Sequence, residues 1–273
     1  MPIIVKSDDE ITIMRQAGRI VAEVLEILAA EVRPGFIVKK LDRIVQEEFE
    51  RRNVVPTFLG YLGYPAHVCV SVNDEIVHGI PGERVLQEGD IVSIDLGATY
   101  RGFVADSALT VGVGRISPEA QRLVDVTYQS LQQGVRAARA DARLGEVSNA
   151  IQTCAEAHGY SVVREYVGHG VGRDMHEEPQ VPNYGPPDRG PILRKGMVLA
   201  LEPMVNVGDW HTKKHDDQWT VSTQDGRLSA HFEHTIAITD GEAEVLTLRS
   251  DEEPFAALAS VTAAEQGSKR SDG

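Results

Sequence analysis

The stretch Gly89-Asp90-Ile91-Val92-Ser93-Ile94-Asp95 has a second copy later in the chain, Gly196-Met197-Val198-Leu199-Ala200-Leu201-Glu202. Each copy begins with glycine, continues as an apolar run typical of a β-strand, and ends on an acidic residue. A further acid follows each copy, Asp106 after the first and Glu233 after the second. The repetition predicts two similar halves, each of which places two carboxylates on neighbouring strands.

The first two acids lie on a predicted β-hairpin. If Tyr100 and Arg101 form its two-residue loop, Asp95 faces Asp106 across the two strands. Directly opposed residues have Cβ atoms roughly 4.5–5.5 Å apart, which is too close for two unneutralised carboxylates among apolar side chains. Two interpretations are open at this point, a pair of exposed aspartates beside a turn or a divalent cation between the carboxylates. The second copy of the arrangement favours the cation.

Helix signals precede the strands in both halves. Ser7-Asp8-Asp9-Glu10 is a capping-box signature, and Ser117-Pro118-Glu119 places proline at the first position of an equivalent helix. A second helix is predicted in each half, over residues 38–52 and 146–158. Because helices and strands recur in the same order, the sequence predicts an α+β fold with an internal pseudo-twofold axis.

The repeat also sets the expected domain organisation. Residues 1–249 are predicted to form one domain with pseudo-repeats at about 1–115 and 116–249. A longer connection, residues 206–227, is predicted to join the second pair of strands. From residue 250 to 273 the composition shifts to Ala, Ser, Glu and Gly, and we expect a flexible C-terminal tail there.

A series of short motifs occurs in a fixed order along the chain. In that order they are Gly60-Tyr61-Leu62-Gly63-Tyr64-Pro65, Val77-His78-Gly79-Ile80-Pro81, Ile94-Asp95, Ala105-Asp106-Ser107, Gly168-His169-Gly170-Val171-Gly172, Met175-His176-Glu177-Glu178-Pro179, Leu201-Glu202-Pro203 and Phe232-Glu233-His234-Thr235. The ordered set resembles type I methionine aminopeptidases over about residues 3–249, and the combination is more specific than any single motif. The resemblance implies the pita-bread fold, in which two α+β halves form an antiparallel sheet covered by helices and enclose a central metal site.

Five residues match the metal ligands of this family. The resemblance implies that Asp95 binds one metal ion and that His169 and Glu202 bind the other. Asp106 and Glu233 are implied to bridge both. One imidazole with four carboxylates offers mostly hard oxygen ligands, so the expected cofactors are two divalent ions per chain, drawn from Co²⁺, Mn²⁺, Fe²⁺ and Zn²⁺. Two such ions roughly 3.5–4 Å apart polarise a carbonyl and lower the pKa of a bridging water, a device known from aminopeptidases.

The implied reaction is removal of the initiator methionine from nascent proteins whose second residue is small and uncharged. A metal-bridging hydroxide would attack the peptide bond after methionine, and Glu202 would pass the water proton to the leaving amine. The matching positions assign His176 to the scissile carbonyl or its oxyanion and His78 to the scissile amide nitrogen. The expected partner is the N-terminal methionine of nascent chains, and docking to the ribosome near the exit tunnel is left open by the sequence.

The methionine side chain is implied to lie in a small apolar pocket. By resemblance, the residues expected to bind substrate are Phe58, Tyr61, Tyr64, Cys69, His78, Met175, His176 and Trp219. Aromatic rings suit the thioether, because sulfur makes favourable contacts with their edges. Phe58 and Met175 stand where relatives often carry Cys and Phe, which leaves the shape of the pocket open.

Other functions compete with this one. Prolidases and X-Pro aminopeptidases have similar ligands but usually carry an additional N-terminal domain, for which residues 1–94 leave little room. A catalytically inactive pita-bread protein that serves as a binding module would lack metal ligands, whereas the full set is present here. Type II methionine aminopeptidases carry a helical insertion between the last two glutamate ligands, and residues 203–232 are too few to hold it.

Composition limits the remaining possibilities. The chain has 273 residues, of which 42% are hydrophobic, enough for one sizeable core. Its net charge of −14 argues against a broad basic surface for nucleic acid. Cys69 and Cys154 are too few for a disulfide framework, and the sequence shows neither a membrane-length apolar run nor a signal peptide. We therefore expect a cytoplasmic monomer that binds neither DNA nor membranes.

Overall fold

The computed structural model describes residues 2–252. Over this range the helices are α1 (Asp8–Glu31), α2 (Lys39–Arg52), α3 (Pro118–Ala137) and α4 (Leu144–Ala157), with a short 3₁₀ helix at Tyr61–Gly63. The strands are β1 (Val55–Pro56), β2 (Cys69–Val72), β3 (Glu75–Val77), β4 (Ile91–Tyr100), β5 (Phe103–Gly112), β6 (Ser161–Val162), β7 (Gly168–Gly170), β8 (Glu177–Val181), β9 (Val198–Leu201), β10 (Met204–Asn206), β11 (Thr212–Lys214), β12 (Val221–Thr223), β13 (Ser229–His231), β14 (Glu233–Ala237) and β15 (Glu244–Val245). Most of the predicted tail, residues 253–273, lies outside the described range.

The helices begin close to the predicted signals. The Ser7 hydroxyl accepts a hydrogen bond from the Glu10 backbone N–H, and the Glu10 carboxylate accepts one from the Ser7 N–H at 3.0 Å, so the capping box of α1 is confirmed. The Ser117 hydroxyl accepts a bond from the Ala120 N–H at 3.1 Å at the start of α3. No helix within residues 2–252 has the length and apolar character needed to cross a lipid bilayer.

A large antiparallel sheet carries the repeat. Its strand order is β1-β4-β5-β14-β9-β7-β8, with β2 also paired to β4 and β15 to β14. The β4–β5 hairpin belongs to the first half, and its counterparts β9 and β14 pair with each other in the second. Because β14 also pairs with β5, the two halves are joined edge to edge within one sheet.

The two faces of this sheet differ in chemistry. On β4, Ile94 and Leu96 are fully buried and lie in the hydrophobic core with Leu25 of α1. Ser93 and Asp95 alternate with them and point to the opposite face, since successive side chains of a strand project to opposite sides. The helices therefore cover the apolar face, and the acids lie on the other.

The register predicted for the first hairpin is wrong, because each residue of β4 pairs with a residue two positions further along β5 than predicted. The loop is Arg101-Gly102 rather than Tyr100-Arg101, so Asp95 faces Ala108 instead of Asp106. Both loop residues have positive φ, 48° and 80°, which suits a two-residue turn with glycine in its second position. The change in register is an even number of residues, so both aspartates stay on the same face as diagonal neighbours.

The connection between β9 and β14 is more structured than the sequence predicts. Residues 206–227 include β11 and β12, and β10 and β13 flank them. These short strands build two three-stranded sheets in the described part of the chain, β13-β10-β6 and β11-β12-β3. The second half thus carries additional structure where the first half has a two-residue turn.

Candidate metal centre and peptide-binding cleft

Three of the predicted ligands lie in one region of the polar face of the large sheet. Asp95 on β4 pairs with Ala108 on β5, and Ala108 pairs with Glu233 on β14, so these residues form one row across the sheet. Asp106 precedes Ala108 by two positions and projects from the same face. Three carboxylates therefore converge around a single small alanine side chain.

The remaining ligands reach this face from the second half. His169 on β7 pairs with Ala200 on β9, and Ala200 also pairs with Thr235 on β14. Glu202 lies two positions after Ala200, and alternation points its side chain the same way. Glu233 lies two positions before Thr235 and shares that face. Strand register thus brings together every residue predicted as a ligand.

The ligand atoms lie close together. One ligand atom each from Asp106, His169 and Glu233 lies within 4.8 Å of the other two. His169 Nε2 is 3.6 Å from Glu202 Oε1, and His169 Nδ1 is 2.9 Å from the carbonyl oxygen of Gly170. Because a carbonyl oxygen only accepts hydrogen bonds, Nδ1 carries the proton and the lone pair of Nε2 is free for a metal. Burial lowers the pKa of His169 to about 3, so the imidazole is neutral.

The carboxylates fit divalent cations. Asp95 Oδ1, Asp106 Oδ1 and Glu233 Oε1 are buried and find no hydrogen-bond partner within residues 2–252. Burial raises the pKa of all four carboxyls, that of Asp106 to about 7. At the other three, including Glu202, the negative charge of Asp106 adds to the effect. Cations bound here would offset the repulsion and supply the missing partners.

His231 is a neighbour of the centre that was not predicted from the sequence. It is 1% exposed, and neither ring nitrogen has a hydrogen-bond partner in the described chain. Its Nε2 lies 4.0 Å from Glu202 Oε2, and its backbone is held by bonds in both directions with Thr110 Oγ1, at 2.7 and 2.9 Å. The only sequence signal for His231 is its position two residues before Glu233. That signal is weak, because a lone histidine among apolar residues is not by itself a mark of function.

An apolar cavity of about 130 Å³ opens beside the carboxylates, and it is here called the methionine cavity after the side chain that the sequence predicts it to bind. It is lined by Phe58, Tyr61, Leu62, Tyr64, Cys69, His78, Asp95, Met175, His176 and Trp219. The lining includes every residue predicted to bind substrate. Asp95 joins the cavity to the ligand cluster, and Leu62, 81% exposed, is a wall residue that was not predicted.

Aromatic packing shapes the methionine cavity. The Tyr64 hydroxyl donates to the Gly79 carbonyl at 2.9 Å, and its ring stands edge-on to Trp219 with the centroids 5.0 Å apart. Phe58 packs against Gly97, where an added Cβ would come within 2.7 Å of the ring. Burial raises the pKa of the Cys69 thiol, so it stays protonated as a small apolar wall residue.

Two histidines lie where the cavity meets the ligands. The Tyr61 hydroxyl is 2.7 Å from His176 Nδ1. His78 adopts φ of 60°, which is uncommon for a residue with a side chain, and its ring packs edge-on against Tyr166. Burial lowers the pKa of both histidines, that of His78 to about 4, so both rings are neutral at physiological pH.

A second cavity of about 400 Å³, here called the outer cavity, adjoins the first at His78. Its lining residues are Leu62, His78, Tyr166, Lys214, Gln218 and Trp219. Leu62, His78 and Trp219 line both cavities, so the two are separated only by this shared wall. A further cavity of about 490 Å³, between α1, α3 and residues 249–252, is lined by none of the ligands.

Comparison with known proteins places these features in one family. The model of metallopeptidase family M24 matches residues 12–240. Methionine aminopeptidase 1 of Bacillus subtilis (strain 168) is 53% identical over 245 residues, which cover 90% of this chain and 99% of that protein. The crystal structure of a methionine aminopeptidase from Thermotoga maritima matches with a TM-score of 0.89 and 47% identity, covering 90% of this chain and 99% of that one. A prolidase from Pyrococcus furiosus, at TM-score 0.74 and 22% identity over 90% of this chain and 66% of that one, shares the fold.

Proposed function

The chain belongs to metallopeptidase family M24, among its methionine aminopeptidases, and we propose that it removes the initiator methionine from nascent proteins whose second residue is small and uncharged. One juxtaposition carries the proposal, because Asp95 belongs both to the ligand cluster and to the wall of the methionine cavity. An N-terminal methionine whose side chain fills that cavity would have its peptide bond beside the carboxylates. We place the reaction in the cytoplasm, where a monomer meets chains leaving the ribosome.

The ligand set suits two divalent cations. Asp95 would bind one, His169 and Glu202 would bind the other, and Asp106 and Glu233 would be shared. The buried carboxylate oxygens without partners and the free Nε2 of the neutral imidazole support this assignment. When bound, the cations supply polarisation of the scissile carbonyl and a water of lowered pKa.

We assign Glu202 the transfer of a proton during hydrolysis. Burial, reinforced by the charge of Asp106, raises its pKa well above the ordinary range of a glutamate, which favours acceptance of a proton from water. Its side chain is 14% exposed and faces His169 on one side and His231 on the other. From this position the carboxyl can return the proton to the leaving amine.

We assign His176 as a hydrogen-bond donor to the scissile carbonyl oxygen, with Tyr61 as the residue that orients it. Burial raises the pKa of Tyr61, so its phenol stays protonated, and we assign it as the donor to His176 Nδ1. His176 then carries its own proton on Nε2, where it can stabilise the oxyanion. His78, on the wall shared by the two cavities, is assigned to the amide nitrogen of the same bond.

The size and lining of the methionine cavity support the side-chain specificity. A cavity of roughly 150 Å³ accepts one benzene molecule, so one of about 130 Å³ has room for a single side chain. The ring edges of Tyr64 and Trp219 and the thiol of Cys69 suit a thioether. A longer or branched polar group would leave its polar atoms without partners.

Release of free amino acid from short peptides tests the proposal. Metal-stripped protein should cleave nothing, and added Mn²⁺, Fe²⁺ or Co²⁺ should restore methionine release from Met-Ala-Ser but not leucine release from Leu-Ala-Ser. Leu-Pro and internal X-Pro peptides are the controls for prolidase activity. Cleavage that follows proline instead of methionine, or no cleavage with any of these metals, would contradict the proposal.

A further inference from the structure

The outer cavity continues the path of a peptide beyond the scissile bond. A peptide whose first side chain fills the methionine cavity must leave past the shared wall of Leu62, His78 and Trp219. The space on the other side of that wall is the outer cavity. An extended chain advances roughly 3.3 Å per residue, so the residues that follow the scissile bond would enter this cavity one after another.

Lys214 contributes an amino group to the lining of the outer cavity. All six of its lining residues lie in the described chain, and among them Lys214 alone is a lysine, arginine, aspartate or glutamate. No carboxylate within residues 2–252 forms an ion pair with Lys214. Burial is the main cause of the lowered pKa of His78, and the neighbouring His176 and Lys214 add to it. An unpaired cation therefore lies next to the outgoing peptide.

The strand that carries Lys214 determines which way it points. On β11, Lys214 pairs with Val221 and Lys213 pairs with Ser222 of β12. Successive side chains of a strand point to opposite faces, and Lys213 is exposed and absent from the lining of the outer cavity. The neighbouring lysines thus provide a matched pair, one at the peptide path and one away from it.

We propose that Lys214 gives this enzyme a preference for an acidic residue at the third or fourth position of its substrate. The inference rests on the proposed function and adds a downstream specificity to it. The second residue lies at His78, so the third and fourth are the first to reach the lysine. Because an exposed ion pair contributes little, we expect kcat/KM to be about two- to fivefold higher with aspartate than with serine at the preferred position. High salt should reduce the difference.

Hydrolysis of tetrapeptides with a C-terminal amide tests the inference. The set is Met-Ala-Ser-Ser, Met-Ala-Asp-Ser, Met-Ala-Ser-Asp and Met-Ala-Lys-Ser, and kcat/KM is measured at low and high salt. The wild-type protein should prefer aspartate over lysine, Lys214→Ala should lose the preference, and Lys214→Glu should invert it. Lys213→Glu makes the same charge change on the other face of β11 and should keep the wild-type preference.

Two results would overturn the inference. One is equal kcat/KM for the aspartate and lysine peptides in the wild-type protein at low salt. The other is an equal change of preference in Lys214→Glu and Lys213→Glu, since this would trace the effect to net charge. Failure of the wild-type protein to cleave the neutral Met-Ala-Ser-Ser amide is a separate result, which would overturn the proposed function itself. If Lys214→Glu does not fold, the inference is still tested by whether Lys214→Ala loses the preference for aspartate.

Discussion

The two halves of the large sheet carry equivalent ligands but join their strands in different ways. In the first half, β4 and β5 are linked by the turn Arg101-Gly102, whereas in the second β9 and β14 are linked through residues 202–232 with their short strands. The repeated strands supply the carboxylates of the centre. The longer connection supplies Trp219 and Lys214 to the cavities and His231 to the side of the centre. Symmetry therefore accounts for the candidate metal centre, and the departure from symmetry accounts for much of what lines the two cavities.

Substitution of equivalent residues in the two halves should lower the rate of methionine release by similar factors. Asp106→Asn and Glu233→Gln each take one shared carboxylate from the centre with little change in size. Each should lower methionine release on the order of 10⁴-fold, as removal of one member of a catalytic unit does. Bound-metal analysis should show lost ions, and circular dichroism should show a retained fold. Wild-type activity in either variant would mean that the two halves do not contribute equally to the reaction.

A substitution in the longer connection should change KM more than kcat. Trp219→Ala removes an aromatic wall of the methionine cavity, so the KM for Met-Ala-Ser should rise about tenfold, or ~1.4 kcal/mol, with a smaller change in kcat. Trp210→Ala is the matched control, because Trp210 lies on the same connection, stacks on His211 and does not line the cavity. If the two substitutions changed KM and kcat equally, the effect of Trp219→Ala would come from a less stable connection and not from a lost contact with the substrate.

The metal-free centre should make the protein less stable as pH rises. Its four carboxyls have raised pKa values in the folded state, that of Asp106 about 7, so the folded protein binds more protons than the unfolded chain and loses stability as pH rises through these values. The lowered pKa values of His169 and His231, both about 3, act in the opposite direction, but only below about pH 6.5, where unfolded histidine titrates. Above about pH 7 only the destabilising trend remains.

Calorimetry of metal-free protein between about pH 7 and about pH 9 checks this trend. The melting temperature should fall with pH, by about 2–4 °C for each kcal/mol lost. Added Mn²⁺ should remove the slope, and Asp106→Asn should reduce it. A melting temperature that is flat or rises over this range would contradict the repulsion among the carboxyls.

The smallest difference between the halves is expected at the helix N-termini. α1 has a full capping box of Ser7 and Glu10, whereas α3 has Ser117, then Pro118, with Ala120 at the position of the glutamate. Ser7→Ala should cost about 1 kcal/mol of unfolding free energy. Ser117→Ala should cost somewhat less, because proline already holds the first turn. Urea unfolding measures both, and a larger loss at Ser117 would reverse the expected order.

Local signals predict much of the fold and the ligand set. Capping residues place α1 and α3, and the repeated apolar runs place the strands that carry the acids. The hairpin register is harder to predict, because Tyr100-Arg101 and Arg101-Gly102 are both possible two-residue loops. The φ of +80° at Gly102 selects the second, since glycine adopts this conformation at little cost.

The rest of the site depends on contacts between residues far apart in the sequence. β11 and β12 are three residues long, too short to show the alternation by which a strand is recognised. Lys214, Leu62 and His231 each stand alone in the sequence without a spacing that marks them as functional. They join the site only because the small sheets and the 3₁₀ helix bring them to the cleft, which is a property of tertiary packing.

The wall shared by the two cavities would also set the order in which products of the proposed reaction leave. After the proposed hydrolysis the shortened chain would lie in the outer cavity, and free methionine would lie in the smaller cavity behind Leu62, His78 and Trp219. The chain could then diffuse away first, and methionine would be the last product to depart. Free methionine should then act as a competitive product inhibitor, and the cell's methionine pool would limit how fast each molecule starts its next cycle.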